Sequence, residues 1–165
     1  AARAASDALF TDKQGKVSCT LNIASVDLST STIVLTRNNP ASIAICRAGQ
    51  VDCISTESVP LGTARDTRPV ISEINIEPGL IIVIHTDGLD HAGKRRGQPM
   101  EVCTVIQSML DEQDPSSQSI ADELLAHAVS LDEGRPADDI SVVVLKVSQR
   151  TGDQVRRMSV RLPIE

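Results

Sequence analysis

The run Leu80-Ile81-Ile82-Val83-Ile84-His85 constrains this chain more than any other feature. It lies between two turn signals, Glu77-Pro78-Gly79 and Thr86-Asp87-Gly88. A short, continuous apolar run bounded in this way reads as a strand buried on both faces. A second run, Ile140 to Val147 (ISVVVLKV), follows Asp138-Asp139 and reads as a second buried strand. Buried strands commonly lie side by side at the centre of a sheet. If these two are antiparallel neighbours, the end of the first meets the start of the second. Asp87 and Asp138, 51 positions apart, then share one sheet edge.

The remaining segments fit around that pair. Residues 1–10 (AARAASDALF) are Ala-rich and read as the last turns of a helix. Val17 to Leu28 alternate apolar and polar residues as a half-buried strand, with Val17, Cys19, Leu21 and Ile23 on one face. Further short strands are expected around Ile33 and Leu35, from Ser42 to Cys46, from Val51 to Ile54 and from Val70 to Ile76, in an antiparallel meander. The period then changes. Val102, Val105, Ile106 and Met109 place a helix over Met100 to Asp111. Ile120, Leu124, Leu125 and Ala128 place another over Ser119 to Leu131. Past Thr151-Gly152, alternation from Met158 to Ile164 predicts a last strand. Strands, two helices and strands again make an α+β domain spanning 1–165, with 148–165 as an extra strand or tail.

Composition narrows the function. Phe10 is the only aromatic residue and the net charge is −6, which removes both stacking platforms and a general phosphate-backbone surface, so no nucleic-acid partner is expected. No apolar run is long enough to span a membrane. Charge is uneven: residues 146–165 carry a net +3 and the rest a net −9, most simply a solvated basic face. Cys19, Cys46, Cys53 and Cys103 form no Cys-x-x-Cys pair and lack a histidine at zinc spacing. They read as buried free thiols in a reducing cytoplasm, although Cys46 and Cys53 flank a turn and leave a cross-strand bridge open.

Asp87, Asp138 and Asp139 are the residues best placed for chemistry. Carboxylates held close repel unless a cation or proton lies between them, and hard ions such as Mg²⁺ and Mn²⁺ take oxygen ligands of this kind. Each aspartate taken alone has a plain structural reading, as a turn or a loop cap. His85, His91 and His127 match no metal spacing, and the nine glycines form no phosphate loop.

Four landmarks in order connect these pieces. Asn38-Asn39-Pro40 follows a strand; Val59-Pro60-Leu61-Gly62 forms a loop. Glu77-Pro78-Gly79 leads through the apolar strand into His85-Thr86-Asp87-Gly88-Leu89. Pro136-Ala137-Asp138-Asp139-Ile140-Ser141 opens the second buried strand. From Lys16 to Val147 the chain resembles the C-terminal two-thirds of a bacterial PPM-type (2C-like) serine/threonine phosphatase domain, and within it the sporulation stage II E-like branch.

The resemblance implies an antiparallel β-sandwich with flanking helices. It implies metal-dependent hydrolysis of phosphoserine or phosphothreonine on a regulatory protein, in bacterial partner-switching signalling. Two Mg²⁺ or Mn²⁺ ions are implied, with Asp87 and Asp138 as metal ligands, Asp139 as the weaker neighbour, and Gly88 as the small residue beside the ions. The implied partner is a phosphorylated anti-sigma-factor antagonist in the cytoplasm. The chain also departs from the pattern. The family's Asp-x-x-Gly or Asp-Gly segment, which bridges the metals, has no counterpart before Lys16, and Asp7 precedes Ala8, not Gly. The segment His91 to Gln98 is basic where the family is acidic or polar. An N-terminally incomplete domain is therefore expected, inactive or weak by itself and open at a sheet edge that favours a homo-oligomer. The alternatives are a non-catalytic phosphatase-like regulatory or docking module and a fragment that pairs with another chain.

Overall fold

Strand β6, Ile81–His85, is buried at all five positions because it has a packed layer on each side. In the computed structural model, which describes residues 1–148, β6 lies inside a four-stranded antiparallel sheet. The sheet order is β4 (Gln50–Ile54), β3 (Ile43–Arg47), β6, β7 (Val142–Lys146). Alternate residues of β6 point opposite ways. Ile82 and Ile84 face a second, three-stranded sheet and pack with Ile33, Leu35, Ile43, Ile45 and Ile74. Ile81 and Val83 face two helices, α3 (Val102–Glu112) and α4 (Ser117–Leu131), and join Val102, Ile106, Ile120, Leu124 and Ala128.

The second sheet has the order β1 (Leu21–Asp27), β2 (Thr32–Asn38), β5 (Val70–Asn75), all antiparallel. The α+β sandwich with helices on one sheet is therefore as expected, and the core fills both gaps. Helix α1, Ala2–Lys13, buries Ala2 and Ser6, one turn apart, and Ser6 meets the loop before β5. Ser6 accepts a hydrogen bond from the Gly62 amide at 3.0 Å. Gly62 has φ +81° and lies against Leu9 and the Val17 carbonyl, where a Cβ has no room.

Three expectations change. The alternating strand from Val17 begins only at Leu21, and Val17 is exposed. Among the described residues, the run ISVVVLKV supplies an edge strand over Val142–Lys146, not a centrally buried one. There it pairs with β6 alone, is mostly half-buried, and has Val143 54% exposed. The cysteines are not all free: Cys53 of β4 and Cys103 of α3 form a disulfide with Cα atoms 6.3 Å apart. Cys46 and Cys53 are not cross-strand partners, because the register sets Cys46 opposite Val51. The expected strand from Met158 to Ile164 lies outside the described residues.

The two remaining thiols differ sharply. Cys19 is exposed, whereas Cys46 packs in the helix-side core, where burial pushes its thiol up to about 11. The thiolate is the reactive form. A maleimide applied to the non-reduced native chain at pH 7 is expected to label Cys19 and spare Cys46, with Cys46 reacting only after denaturation. Peptide mapping checks this, and native labelling of Cys46 at the Cys19 rate contradicts the burial.

Candidate metal centre

The pairing of β6 with β7 builds the site. The register runs from Ile81 opposite Lys146 to His85 opposite Val142, so Thr86 meets Ser141 just past the ladder. The Thr86 amide donates to the Ser141 carbonyl at 3.1 Å. The Thr86 hydroxyl donates to the Asp139 carbonyl at 3.2 Å and accepts from the Ser141 amide at 3.0 Å. One threonine thus ties the segment carrying Asp87 to the segment carrying Asp138.

Two other groups fix the same edge from behind. Asn39, buried in the Asn38-Asn39-Pro40 turn, donates from its side-chain amide to the His85 carbonyl at 3.2 Å and accepts from the Ala41 amide at 2.9 Å. Asp132, 6% exposed, accepts from the Gly93 amide at 3.0 Å and from the Ala137 amide at 3.3 Å. It joins the chain just after Asp87 to the chain just before Asp138. No local sequence signal marks Asp132, since its two partners lie on different segments.

Asp87 opens a five-residue helix, α2 (Asp87–His91), where the sequence reads only as a turn. The close approach of the neighbouring strand explains Gly88. A Cβ there would lie 2.3 Å from the Asp139 carbonyl oxygen. Gly88 is needed for this contact and not for a left-handed turn. Gly88→Ala is expected to push the two segments apart, costing about 1–3 kcal/mol, the usual range for overpacking, and weakening divalent-ion binding with it. Thermal unfolding and a Mn²⁺ titration check both effects; an unchanged Tm contradicts the contact.

Among the described residues, Asp87, His91 and Asp138 each offer one donor atom, and all three atoms lie within 4.8 Å of one another. Asp87 and His91 are four residues apart and so share one face of α2. His91 Nδ1 is 3.8 Å from Asp138 Oδ2, and both side chains are about half exposed, open to an entering ion. Donors around one small dication lie at most about 4.0–4.4 Å apart, twice a bond length. The observed spread is within a small side-chain rotation of that, and two carboxylates with an imidazole are a suitable donor set.

Asp139 does not belong to this group. It contributes its carbonyl to the Thr86 tie, and its amide donates to Asp138 Oδ1 at 2.9 Å. His85, the last residue of β6, is buried with Nε2 3.9 Å from Asp90, and His127 is exposed on α4; neither joins the group. An open cavity of about 540 Å³, lined by Leu125, Pro136, Ala137, Asp138, Asp139 and Ile140, adjoins the Asp138 side.

The family model described as stage II sporulation protein E (SpoIIE) matches residues 1–148. No curated protein sequence matches the chain. Among solved structures, the manganese-presoaked phosphatase domain of the cell fate determinant SpoIIE from Bacillus subtilis superposes with a TM-score of 0.63 at 19% identity, over 81% of this chain and 58% of that one. The RsbU and RsbW domains of Rv1364c from Mycobacterium tuberculosis give 0.68 at 17% identity, over 88% of this chain and 41% of that one. The catalytic domain of serine threonine protein phosphatase PstP in complex with two manganese ions gives 0.65 at 15% identity, over 89% and 68%. At these identities the likeness is one of fold. The chain spans only 58% of the SpoIIE phosphatase domain it superposes on.

Proposed function

Because the chain belongs to the stage II sporulation protein E (SpoIIE) family, whose phosphatase fold it shares with that protein's structure, we propose that the protein is a metal-dependent phosphatase. Its substrate is phosphoserine or phosphothreonine on a regulatory protein of the anti-sigma-factor-antagonist type, in cytoplasmic partner-switching signalling. The observation that carries this reading is the convergence of Asp87, His91 and Asp138 within 4.8 Å at the β6–β7 edge. A neighbouring fold that joins RsbU and RsbW domains supports the signalling context.

Asp87 and Asp138 would hold Mg²⁺ or Mn²⁺. The chemistry the bound ions supply is acidification of a water molecule and neutralisation of phosphoryl charge. The chain's own contribution is placement. Thr86 and Asp132 lock the two carboxylate segments together, Asn39 anchors the end of β6, and Gly88 allows their close approach. No side-chain nucleophile is required, in keeping with Cys46 being buried with its thiol pushed up. The cavity beside Asp138 offers room for the segment that carries the phosphoryl group.

Three converging donors supply less than the shells of two ions, and this favours a second reading, a phosphatase-like docking module. One experiment separates the two. The whole protein is incubated with a phosphoserine peptide and Mn²⁺, and released phosphate is measured with and without a chelator. Chelator-sensitive release supports the phosphatase. Mn²⁺ binding with no release supports the docking module.

A further inference from the structure

His91 is where this chain departs from an all-oxygen centre. The helix spacing that puts Asp87 on one face of α2 puts His91 on the same face, and Asp138 meets both from the far side of the β6–β7 edge. A role for His91 as an ion-pair partner alone is weakly supported. The 3.8 Å separation from Asp138 exceeds hydrogen-bond length, and half-exposed pairs of this kind contribute little. The next charged residues, Lys94, Arg95 and Arg96, are basic, so this loop adds no carboxylate after His91.

Resting on the reading of this site as a metal centre, we infer that His91 is a direct ligand that makes the site select Mn²⁺ over Mg²⁺. Mg²⁺ is hard, demands oxygen ligands and sheds its waters reluctantly. Imidazole nitrogen suits later first-row ions best; Mn²⁺, the weakest binder of that series, still accepts it more readily than Mg²⁺, which keeps its waters instead. A site with one nitrogen among three protein donors therefore penalises Mg²⁺ more than Mn²⁺. In this respect the basic segment from His91 to Gln98 changes which ion the site takes and not only its surface charge.

The test uses the full chain and the metals alone. Mn²⁺ and Mg²⁺ are titrated separately by calorimetry, and the Mn²⁺ complex is studied by pulsed electron paramagnetic resonance. The wild-type chain is expected to bind Mn²⁺ more tightly than Mg²⁺ and to show nitrogen hyperfine modulation from a bound imidazole. His91→Asp restores an all-oxygen set. It is expected to lose that modulation and to lower the Mn²⁺ to Mg²⁺ preference. Absence of nitrogen modulation in the wild-type chain overturns the inference even if the variant fails to fold, and so does an unchanged preference in a folded His91→Asp. Asp87→Asn separates the two levels. It is expected to abolish Mn²⁺ binding, and binding that survives it overturns the metal-centre reading itself along with this inference.

Discussion

Replacing Asp87 with Asn is expected to reduce chelator-sensitive phosphate release by the whole protein more than about 100-fold, since even groups behind the ligands cost 10–100-fold when removed. The variant keeps the shape of the side chain and removes one of its two negative oxygens. Fold stability should barely respond. Asp87 lies at the sheet edge close to Asp138, so neutralising it relieves like-charge repulsion in the metal-free chain. The expected pattern is thus a large loss of activity with a Tm unchanged or slightly raised. Phosphate release and thermal unfolding on the same preparation check it. Activity within about threefold of wild type contradicts a ligand role; a Tm collapse shows that Asp87 is structural.

Ile82→Ala should give the opposite pattern, a large loss of stability. Ile82 is fully buried in β6, opposite Ile45 of β3 and Leu145 of β7, and faces the second sheet. Truncation there leaves a cavity between two sheets that cannot easily close. The expected cost is about 2–5 kcal/mol, against about 0.5–1.5 kcal/mol for Ile82→Val. A domain of this size has only about 5–15 kcal/mol in total. Urea unfolding should show the midpoint falling in that order with the slope preserved. A midpoint shift for Ile82→Ala no larger than for Ile82→Val contradicts the two-sided burial of β6.

The sequence is most legible where period and turn chemistry agree. The Pro78-Gly79 turn appears with Gly79 at φ +86° and the Leu80 amide donating to the Glu77 carbonyl at 3.1 Å. The two apolar runs flanked by aspartates make an antiparallel meeting of β6 and β7 possible, the family resemblance implies it, and the structure has it, with Asp87 close to Asp138. What escapes sequence reading has a physical reason in each case. Five residues are too few to display helical periodicity, so α2 is read as a turn and the Asp87–His91 spacing carries no message. An apolar run reads the same whether it lies at a sheet centre or an edge, so β7 looks as buried as β6. Cys53 and Cys103 are 50 positions apart and meet only because α3 packs beside β4. Asp132 acts through two backbone amides that tertiary structure alone brings together.

The β6–β7 ladder also sets the order of events during folding. Asp87 and Asp138, 51 positions apart, cannot meet until the chain between them, which contains α3 and α4, has closed on itself. Closing a loop of that length costs about 3.5 kcal/mol in chain entropy before any contact repays it. That cost makes late convergence of the carboxylates, after the helices have found the sheet, the expected order, and a drop in folding rate no larger for Ile106→Ala than for a surface substitution contradicts it. An ion that needs all three donors has nothing to grip in the earlier, looser states. The binding energy of an ion held at the proposed centre would fall on the finished fold and not on the route to it, so such an ion would slow opening and do little to speed assembly.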